Sequence, residues 1–285
     1  MKYNYLTPEA IDQFIESAFR EDVGDGDHSS LSAIPAHTQR KARLIIKGEG
    51  VIAGLAMAEK IFHKADKDLK VNILLKDGDS VKYGDIGLTV EGNARSILTA
   101  ERLVLNCMQR MSGIATLTHQ AVQQTKGTKT KILDTRKTTP NFRIMEKWAV
   151  QIGGGTNHRF GLFDMIMLKD NHVDYAGGIR EAVTATKNYL QSTGRKLRIE
   201  VETRNLREVQ EALAVGSVDV IMLDNMNVAE MTEAVQLING QCEIEASGGI
   251  TIDQIAEVAA TGVDYISLGA LTHSFKSMDI SLKAF

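Results

Sequence analysis

The chain has 285 residues, which is long for one domain and short for three, so one barrel-sized domain or two smaller ones are expected. Apolar residues make up 43% and charged residues 24%, as in a globular protein that buries its core without disulfides or metals. The formal net charge of −3 argues against a general binder of nucleic acid. Any strongly basic site must therefore be confined to one part of the surface and be offset by acidic residues elsewhere.

Cysteine usage and the N-terminus indicate the compartment. Cys107 and Cys242 form no CxxC pair and show no spacing of zinc ligands, so we expect reduced thiols. Residues 1–14 lack the apolar core of a signal peptide, and no run approaches the roughly 18 apolar residues of a membrane span. These features predict a cytoplasmic protein.

The first part of the chain combines a helix with short strands. Thr7 and Pro8 provide the N-cap and first position of a helix, after which apolar residues follow at helical spacing. Four strand-like runs separated by turn residues then predict a small β-rich sandwich: Ala42–Lys47, Val51–Ala53, Val71–Leu75 and Gly87–Glu91.

From Ala94 onward the pattern changes to a long helix and then a repeated βα unit. The helix is predicted over Ser96–Gln124, with a bend at Ser112-Gly113. Six apolar runs, each followed by a helical pattern, predict parallel strands with right-handed crossovers. The runs are Lys131–Asp134, Met165–Leu168, Arg198–Val201, Val220–Leu223, Glu243–Ala246 and Tyr265–Leu268.

Such a repeat fits a closed barrel or an open doubly wound sheet. Nearly every predicted strand ends in a chemically competent group, and barrel enzymes collect catalytic groups from the carboxyl ends of many strands. An open sheet would concentrate them at one switch point. We therefore favour an α/β barrel, incomplete because six strands fall short of the usual eight.

Two segments supply a cluster of cations. Asp134-Thr-Arg-Lys-Thr138 places Arg136 beside Lys137, a planar fork beside a point charge that suits carboxylate and phosphate oxygens. The glycine-rich segment Gly153–Gly161 offers His158 and Arg159, but it matches neither a dinucleotide nor a Walker motif. Solvated surface charges and an ordinary turn are the alternatives.

Three further charged residues end apolar strands. Lys169 follows the second run, where it is expected to face a carboxylate or a ligand. Glu202 and Asp224 end consecutive units and could bind hydroxyls or hold Mg²⁺ through water. Glu200 shares the strand face of Glu202, so the sequence does not choose between them, and a structural ion pair with Lys169 is the alternative.

Glycines at the last two strand ends could bind phosphate. Ser247-Gly248-Gly249 and Gly269-Ala-Leu-Thr-His-Ser274 each precede a helix start, which offers backbone N–H groups. Phosphate sites recur at the final βα loops of barrels, although two tight turns would look the same.

Taken together, these motifs closely resemble those of the quinolinate phosphoribosyltransferases. The matching stretches run in order over nearly the whole chain, and together they are specific although each alone is not. They are Glu21–Asp27, Thr99–Asn106, Ser112–Thr116, Asp134–Thr138, Gly153–Arg159, Leu168–His172, Glu200–Glu202, Leu223–Asn225, Ser247–Gly249 and Gly269–His273.

The resemblance implies a fold and a reaction. An open-faced α/β sandwich over residues 1–110 is expected beside a six- to seven-stranded incomplete barrel over 111–274, with 275–285 packing back on the sandwich. The implied reaction joins quinolinate and phosphoribosyl pyrophosphate, with Mg²⁺, to give nicotinate mononucleotide, pyrophosphate and CO₂ in de novo NAD biosynthesis.

The resemblance also implies the site. A homodimer is expected in which Arg102 reaches the site of the partner subunit. Lys137, Lys169, Glu202 and Asp224 are the expected catalytic residues, and Glu202 with Asp224 is expected to hold Mg²⁺ through water. The expected substrate-binding residues are Arg102, Thr135, Arg136, Lys137, His158, Arg159, Lys169, Glu202, Asp224, Ser247, Gly248, Gly249, Gly269, Ala270 and Leu271.

Two rival functions stay open at this point. One is a homologue with another substrate, either a nicotinate phosphoribosyltransferase or a protein associated with molybdate transport. A substrate with one carboxylate should need fewer cations, so Arg102 with Arg136 and Arg159 favours quinolinate. The other is a regulatory protein that binds a phosphorylated sugar without turnover.

Overall fold

The computed structural model of the chain describes residues 5–285 and contains two compact units. The first unit consists of the residues up to His119, Thr138–Gly154 and Leu271–Phe285. The second consists of Gln120–Lys137 and Gly155–Ala270. In the part of the chain that the structure describes, no helix is long and apolar enough to cross a membrane.

The first unit begins with the predicted helix. Helix α1 spans Pro8–Asp22, and the Thr7 hydroxyl accepts a hydrogen bond of 3.1 Å from the Ala10 amide. This contact satisfies one of the unpaired N–H groups that every helix start exposes. The further helices of this unit are α2 (His28–Ala33), α3 (Leu55–Ala65) and α5 (Arg143–Ile152), while most of α4 (Ala94–Gln124) also belongs to it.

A four-stranded antiparallel sheet forms the centre of the first unit. Its order is β12-β1-β5-β3, so the C-terminal strand pairs with the first one, from Ala42 opposite Ala284 to Ile46 opposite Ile280. A separate two-stranded ladder joins β2 and β4. The bounds are β1 (Gln39–Ile46), β2 (Gly50–Val51), β3 (Lys70–Ile73), β4 (Ser80–Val81), β5 (Ile86–Asn93) and β12 (Ile280–Ala284).

Helix α4 is continuous through Ser112-Gly113, the position at which the sequence predicts a bend. Ser112 Oγ bonds the backbone of Ala53, accepting from its amide at 3.0 Å and donating to its carbonyl at 3.1 Å. A Cβ on Gly113 would collide with the carbonyl of Lys276. The pair therefore serves close packing within the first unit.

The second unit is built on a six-stranded parallel sheet in the order β6-β11-β10-β9-β8-β7. A parallel bridge from Leu133 to Thr156 adds a seventh extended segment beside β6. Within residues 5–285 no ladder joins this segment to β7, so the barrel is incomplete, as predicted. The strands are β6 (Lys131–Leu133), β7 (Ile166–Leu168), β8 (Ile199–Thr203), β9 (Val220–Asp224), β10 (Glu243–Ser247) and β11 (Tyr265–Ser267).

Helices connect these strands, and the core lies between them and the sheet. Every residue of β8 is buried, as expected when a parallel sheet is covered on both faces. Asn205 and Asn227 cap two of the helices through their side chains. The connecting helices are α6 (Asp170–Ala176), α7 (Ile179–Thr193), α8 (Leu206–Val215), α9 (Val228–Ile238) and α10 (Ile255–Ala260), and α11 (Ala270–His273) follows β11.

Candidate active site

The carboxyl ends of the parallel strands bring most of the predicted residues to one edge of the sheet. Lys169 directly follows β7, Glu202 lies next to the end of β8, and Asp224 and Ser247 end β9 and β10. Asp224 and Ser247 are paired neighbours in the ladder, so their side chains lie on the same face. This edge is where barrel enzymes place their chemistry.

Lys169 and Glu202 form an ion pair at this edge. The Lys169 Nζ atom lies 3.0 Å from Glu202 Oε2, and the amide of Asp170 donates to Oε1 at 3.4 Å. The lysine side chain is 48% exposed and the carboxylate 8% exposed. Because water already solvates the half-exposed ammonium, an incoming anion can compete for it with the carboxylate.

Glu200 and Glu202, which the sequence could not distinguish, have different surroundings. Glu202 meets Lys169 at the strand end, whereas Glu200 is fully buried. Glu200 and the equally buried Glu245 approach the same atom, His158 Nε2, at 3.1 Å and 3.2 Å. Burial and repulsion from Glu245 raise the pKa of Glu200 to about 7.

His158 is held at both ring nitrogens, and only 7% of its side chain is exposed. Burial acts to lower the pKa of the imidazole, but hydrogen bonds to Glu200 and Glu245 outweigh it and raise the pKa to about 10. The amide of Arg159 donates to Nδ1 at 2.7 Å, a contact that favours the neutral ring. Hydrogen bonds to charged partners are about twice as strong as neutral ones, so the carboxylates determine the direction of the shift.

Arg159, which follows this histidine, is repelled by a second arginine. Burial, and then repulsion by the Arg136 charge, lower the pKa of Arg159. One guanidinium nitrogen of Arg159 donates to the carbonyl of Met165 at 3.2 Å. The carboxylate of Asp164 accepts from the amides of Phe160 and Gly161 and so shapes the loop that follows Arg159. Mutually repelling cations at strand ends are typical of a site that binds an anion.

The segment that carries Arg136 is anchored beneath the edge by Asp134. This residue is fully buried, and its carboxylate accepts from the amide of His158 at 2.9 Å. The Thr135 hydroxyl accepts from the amide of Lys137 at 3.0 Å and closes a tight turn. The two basic segments are thus joined through one buried carboxylate.

Asp224, Ser247 and Gly248 lie together at the neighbouring strand ends. Asn225 has a left-handed backbone (φ 56°), donates from Nδ2 to Asp224 at 2.7 Å, and donates its amide to the Ser247 carbonyl at 2.9 Å. Gly248 has φ 94°, and a Cβ there would collide with Asn225. Only glycine fits this position, which explains one glycine of the predicted phosphate loop. Gly249 also has a positive φ, at 62°.

The remaining predicted residues are Gly269, Ala270, Leu271 and Arg102. Gly269 and Ala270 follow β11 after Leu268 and belong to the second unit, whereas the buried Leu271 belongs to the first unit. Arg102 is exposed on α4, also in the first unit. The two units thus divide the predicted site residues between them.

Glu202 and Asp224 offer carboxylate oxygens, which Mg²⁺ prefers. Both oxygens of Glu202 already accept hydrogen bonds, from Lys169 and the Asp170 amide, and Asp224 accepts from Asn225. The donor set therefore fits an ion that keeps most of its coordinating water molecules. The two residues do not form a site in which protein atoms supply all the ligands of the ion.

Glu245 is the residue of this region that the sequence reasoning missed. It stands in the middle of β10 between the buried Ile244 and Ala246. A charged residue inside an apolar strand is costly unless it has a partner, so its position was itself a signal. Its distance in sequence from His158 concealed the partner.

The incomplete barrel, with converging cations, paired carboxylates and a glycine loop at one edge, defines an α/β-barrel enzyme that acts on anionic substrates. Family models described as quinolinate phosphoribosyl transferase, N-terminal and C-terminal domains, match residues 27–112 and 114–283. The chain belongs to this family, which confirms the resemblance seen in the sequence.

Individual relatives agree with this assignment. A quinolinate phosphoribosyltransferase [decarboxylating] 1b of Nicotiana tabacum is 48% identical over 94% of this chain and 81% of its own length. A probable nicotinate-nucleotide pyrophosphorylase [carboxylating] of Bacillus subtilis is 43% identical over 95% of this chain and 92% of its own. The crystal structure of NadC from Streptococcus pyogenes superposes with a TM-score of 0.92 at 42% identity and covers 99% of this chain and 98% of that one.

Proposed function

We propose that the protein transfers the phosphoribosyl group of phosphoribosyl pyrophosphate to the ring nitrogen of quinolinate and then removes one carboxylate as CO₂. The products are nicotinate mononucleotide and pyrophosphate, and the step feeds de novo NAD biosynthesis. Family membership and the names of the relatives support this reaction. The observation that carries it is that the buried carboxylate of Asp134 joins the segment of Arg136 to that of His158 and Arg159, and that the Arg136 charge lowers the pKa of Arg159.

In this proposal the cations bind the two carboxylates of quinolinate. Arg136 and Arg159 provide planar forks that match a carboxylate, and their mutual repulsion is relieved when the dianion binds. His158, whose two ring nitrogens are already in contact with protein groups, adds only its positive charge, and Lys169 supplies an ammonium group from the strand end. A substrate with a single carboxylate would leave part of this positive charge uncompensated.

The phosphate-bearing substrate lies along the rest of the edge. Lys137 and Lys169 meet its phosphate oxygens, and Thr135 holds the turn that carries Lys137. The backbone of Ser247, Gly248 and Gly249, together with Gly269, Ala270 and Leu271, accommodates the 5′-phosphate. The backbone forced by Gly248 supports this placement, because no side chain intrudes there.

The carboxylates assist bond exchange at the sugar. The ring nitrogen donates its electron pair to the anomeric carbon while pyrophosphate leaves with the electrons of the broken bond. Glu202 and Asp224 face the positive charge that develops on the ribose and stabilise it. When bound through water near these two residues, Mg²⁺ would neutralise charge on the leaving pyrophosphate.

Decarboxylation follows from the charge created in the first step. The ribosylated ring nitrogen is cationic, so it accepts electron density when the adjacent C–C bond breaks. The carbon keeps the electron pair, CO₂ departs, and the carbon then takes up a proton. Positioning and charge neutralisation therefore account for catalysis without a covalent enzyme intermediate.

The proposal includes a homodimer in which Arg102 of the partner subunit completes the dicarboxylate pocket. The exposed position of Arg102 on α4 supports this, because its guanidinium can extend from the surface. The proposal also includes the cytoplasmic location expected from the sequence, with both cysteines as free thiols.

A turnover assay with quinolinate and nicotinate as competing substrates tests the reaction. We expect quinolinate to be used with release of one CO₂ per pyrophosphate, and nicotinate to be used at least a hundredfold less efficiently. Equal use of nicotinate would contradict the proposal. Binding of phosphoribosyl pyrophosphate without any turnover would favour the regulatory alternative.

A further inference from the structure

The buried carboxylates Glu200 and Glu245 have no part in the proposed chemistry. They reach the same nitrogen of His158, at 3.1 Å and 3.2 Å, from strands β8 and β10 on either side of β9. Both carboxylates lie within ion-pair distance of Nε2, and the buried oxygens of Glu200 have no hydrogen-bond partner within the described residues, so electrostatic attraction holds this carboxylate to the ring. The two carboxylates thus hold the Nε2 side of the imidazole ring in place.

The other contacts of His158 are with the two segments that carry Arg136 and Arg159. Its Nδ1 accepts the amide N–H of Arg159 at 2.7 Å, and its own amide donates to Asp134 at 2.9 Å. Asp134 ends the strand run that continues into Arg136. One buried centre therefore fixes the backbone of both segments that carry the converging guanidinium groups.

Stability alone does not explain two carboxylates at this depth. Removing a charge from water costs several kcal/mol, and replacing buried ionic groups by apolar ones of similar volume is often neutral or stabilising. Glu245 lies between apolar residues of its strand, where a leucine would have packed. Glu200 also acts on the site above, since its charge raises the pKa of Arg159 against the effect of burial.

We propose that Glu200 and Glu245 are positioning residues for the quinolinate pocket. By holding the Nε2 edge of His158 they fix the ring, and through its Nδ1 they fix the backbone from which Arg159 extends. This inference rests on the proposed function, because it assigns to the pair a role in binding that substrate. Neither carboxylate is required to touch it.

A different occupant of this centre is a metal ion. The three side chains offer ligand atoms within 4.8 Å of one another. The contacts of Nε2 with the two carboxylates, at 3.1 Å and 3.2 Å, are ion pairs that need no metal ion. Metal content therefore enters the test as an outcome that would overturn the positioning role.

The experiment compares Glu245→Gln and Glu245→Leu with the control Asp264→Asn. Asp264 supports the same strand from its opposite end, where its carboxylate accepts from the Ile244 amide at 2.9 Å. Steady-state kinetics give the KM for each substrate and kcat, and thermal unfolding gives Tm. Elemental analysis of the purified proteins gives metal content.

We expect Glu245→Gln to raise the KM for quinolinate at least tenfold and Glu245→Leu to raise it further, because glutamine still accepts one hydrogen bond. The KM for phosphoribosyl pyrophosphate should change by less than threefold in both variants. The control should lower Tm without changing either KM. Should Glu245→Gln fail to fold, Glu200→Gln and Glu245→Asp make the same comparison.

An unchanged KM for quinolinate in folded variants, with only Tm lowered, would overturn the positioning role. A stoichiometric metal in the wild type that is lost in the variants would overturn it as well. Failure of the proposed function is distinguishable, because the wild type itself would then not convert quinolinate.

Discussion

Replacing Arg159 by lysine removes a planar fork and keeps a positive charge. A hydrogen bond to a charged group contributes about 1.5–3 kcal/mol, so loss of one from a bidentate contact should raise the KM for quinolinate roughly 10- to 150-fold. The single ammonium group of lysine cannot make the two parallel hydrogen bonds of a guanidinium group. One oxygen of the substrate carboxylate therefore stays unpaired. The KM for phosphoribosyl pyrophosphate should hardly change.

Replacing Arg159 by alanine, which removes the charge altogether, has an unusual expected effect on stability. Arg159 is repelled by Arg136 and is partly buried, and both effects disfavour its charge in the empty site. Its one described hydrogen bond, to the carbonyl of Met165, contributes about 1 kcal/mol. Because relief of the repulsion offsets that loss, the Tm of Arg159→Ala should stay within about 3 °C of the wild type.

Steady-state kinetics with each substrate varied in turn, together with thermal unfolding, provide the test of both expectations. Arg180→Ala is a suitable control, because Arg180 is an exposed arginine on α7 in the same unit. Equal increases in both KM values would refute the reasoning, since they would place Arg159 outside a quinolinate-specific pocket. A large fall in Tm would refute the argument from charge repulsion.

Three further predictions concern the dimer, a buried ion pair and pH. Mixing Arg102→Ala and Arg159→Ala chains should restore part of the activity through one intact site per mixed dimer; no recovery despite confirmed subunit exchange would count against a shared site. Glu146→Gln should lower the unfolding free energy by about 1–3 kcal/mol in chemical denaturation, because the fully buried Glu146 accepts from Arg110 at 2.8 Å; an unchanged midpoint would disprove this. Since the folded pKa of His158 is raised to about 10, its contribution to stability is fully present below pH ~6.5 and is lost as pH rises through 10. The unfolding free energy should therefore fall between pH 7 and 10, and a fall of the same size in His158→Gln would contradict this.

The sequence predicted the fold well because its periodic patterns are local. The six apolar runs correspond to the six strands of the parallel sheet, and the Thr7 cap and Pro8 start mark α1 as expected. The packing contacts of Ser112 and Gly113 could not be predicted from such local patterns. Its role depends on Ala53 and Lys276, which are distant in sequence and near only after folding.

The candidate site was predictable where a residue's position at a strand end was sufficient. Lys169 and Glu202 lie at the strand ends as expected, and they form the ion pair that the sequence left as an alternative. The separate roles of Glu200 and Glu202 required the structure, because alternation along a strand gives both the same face. The pairing of His158 with Glu245 joins segments that no local pattern connects.

A crystal structure of the protein with quinolinate bound would show which residues bind the substrate. We expect the two carboxylates of the ligand to contact Arg136 and Arg159 at about 2.7–3.2 Å, the range of charged hydrogen bonds, with Arg102 of the partner subunit closing the pocket. Quinolinate bound elsewhere, or held at this edge without either arginine, would contradict it.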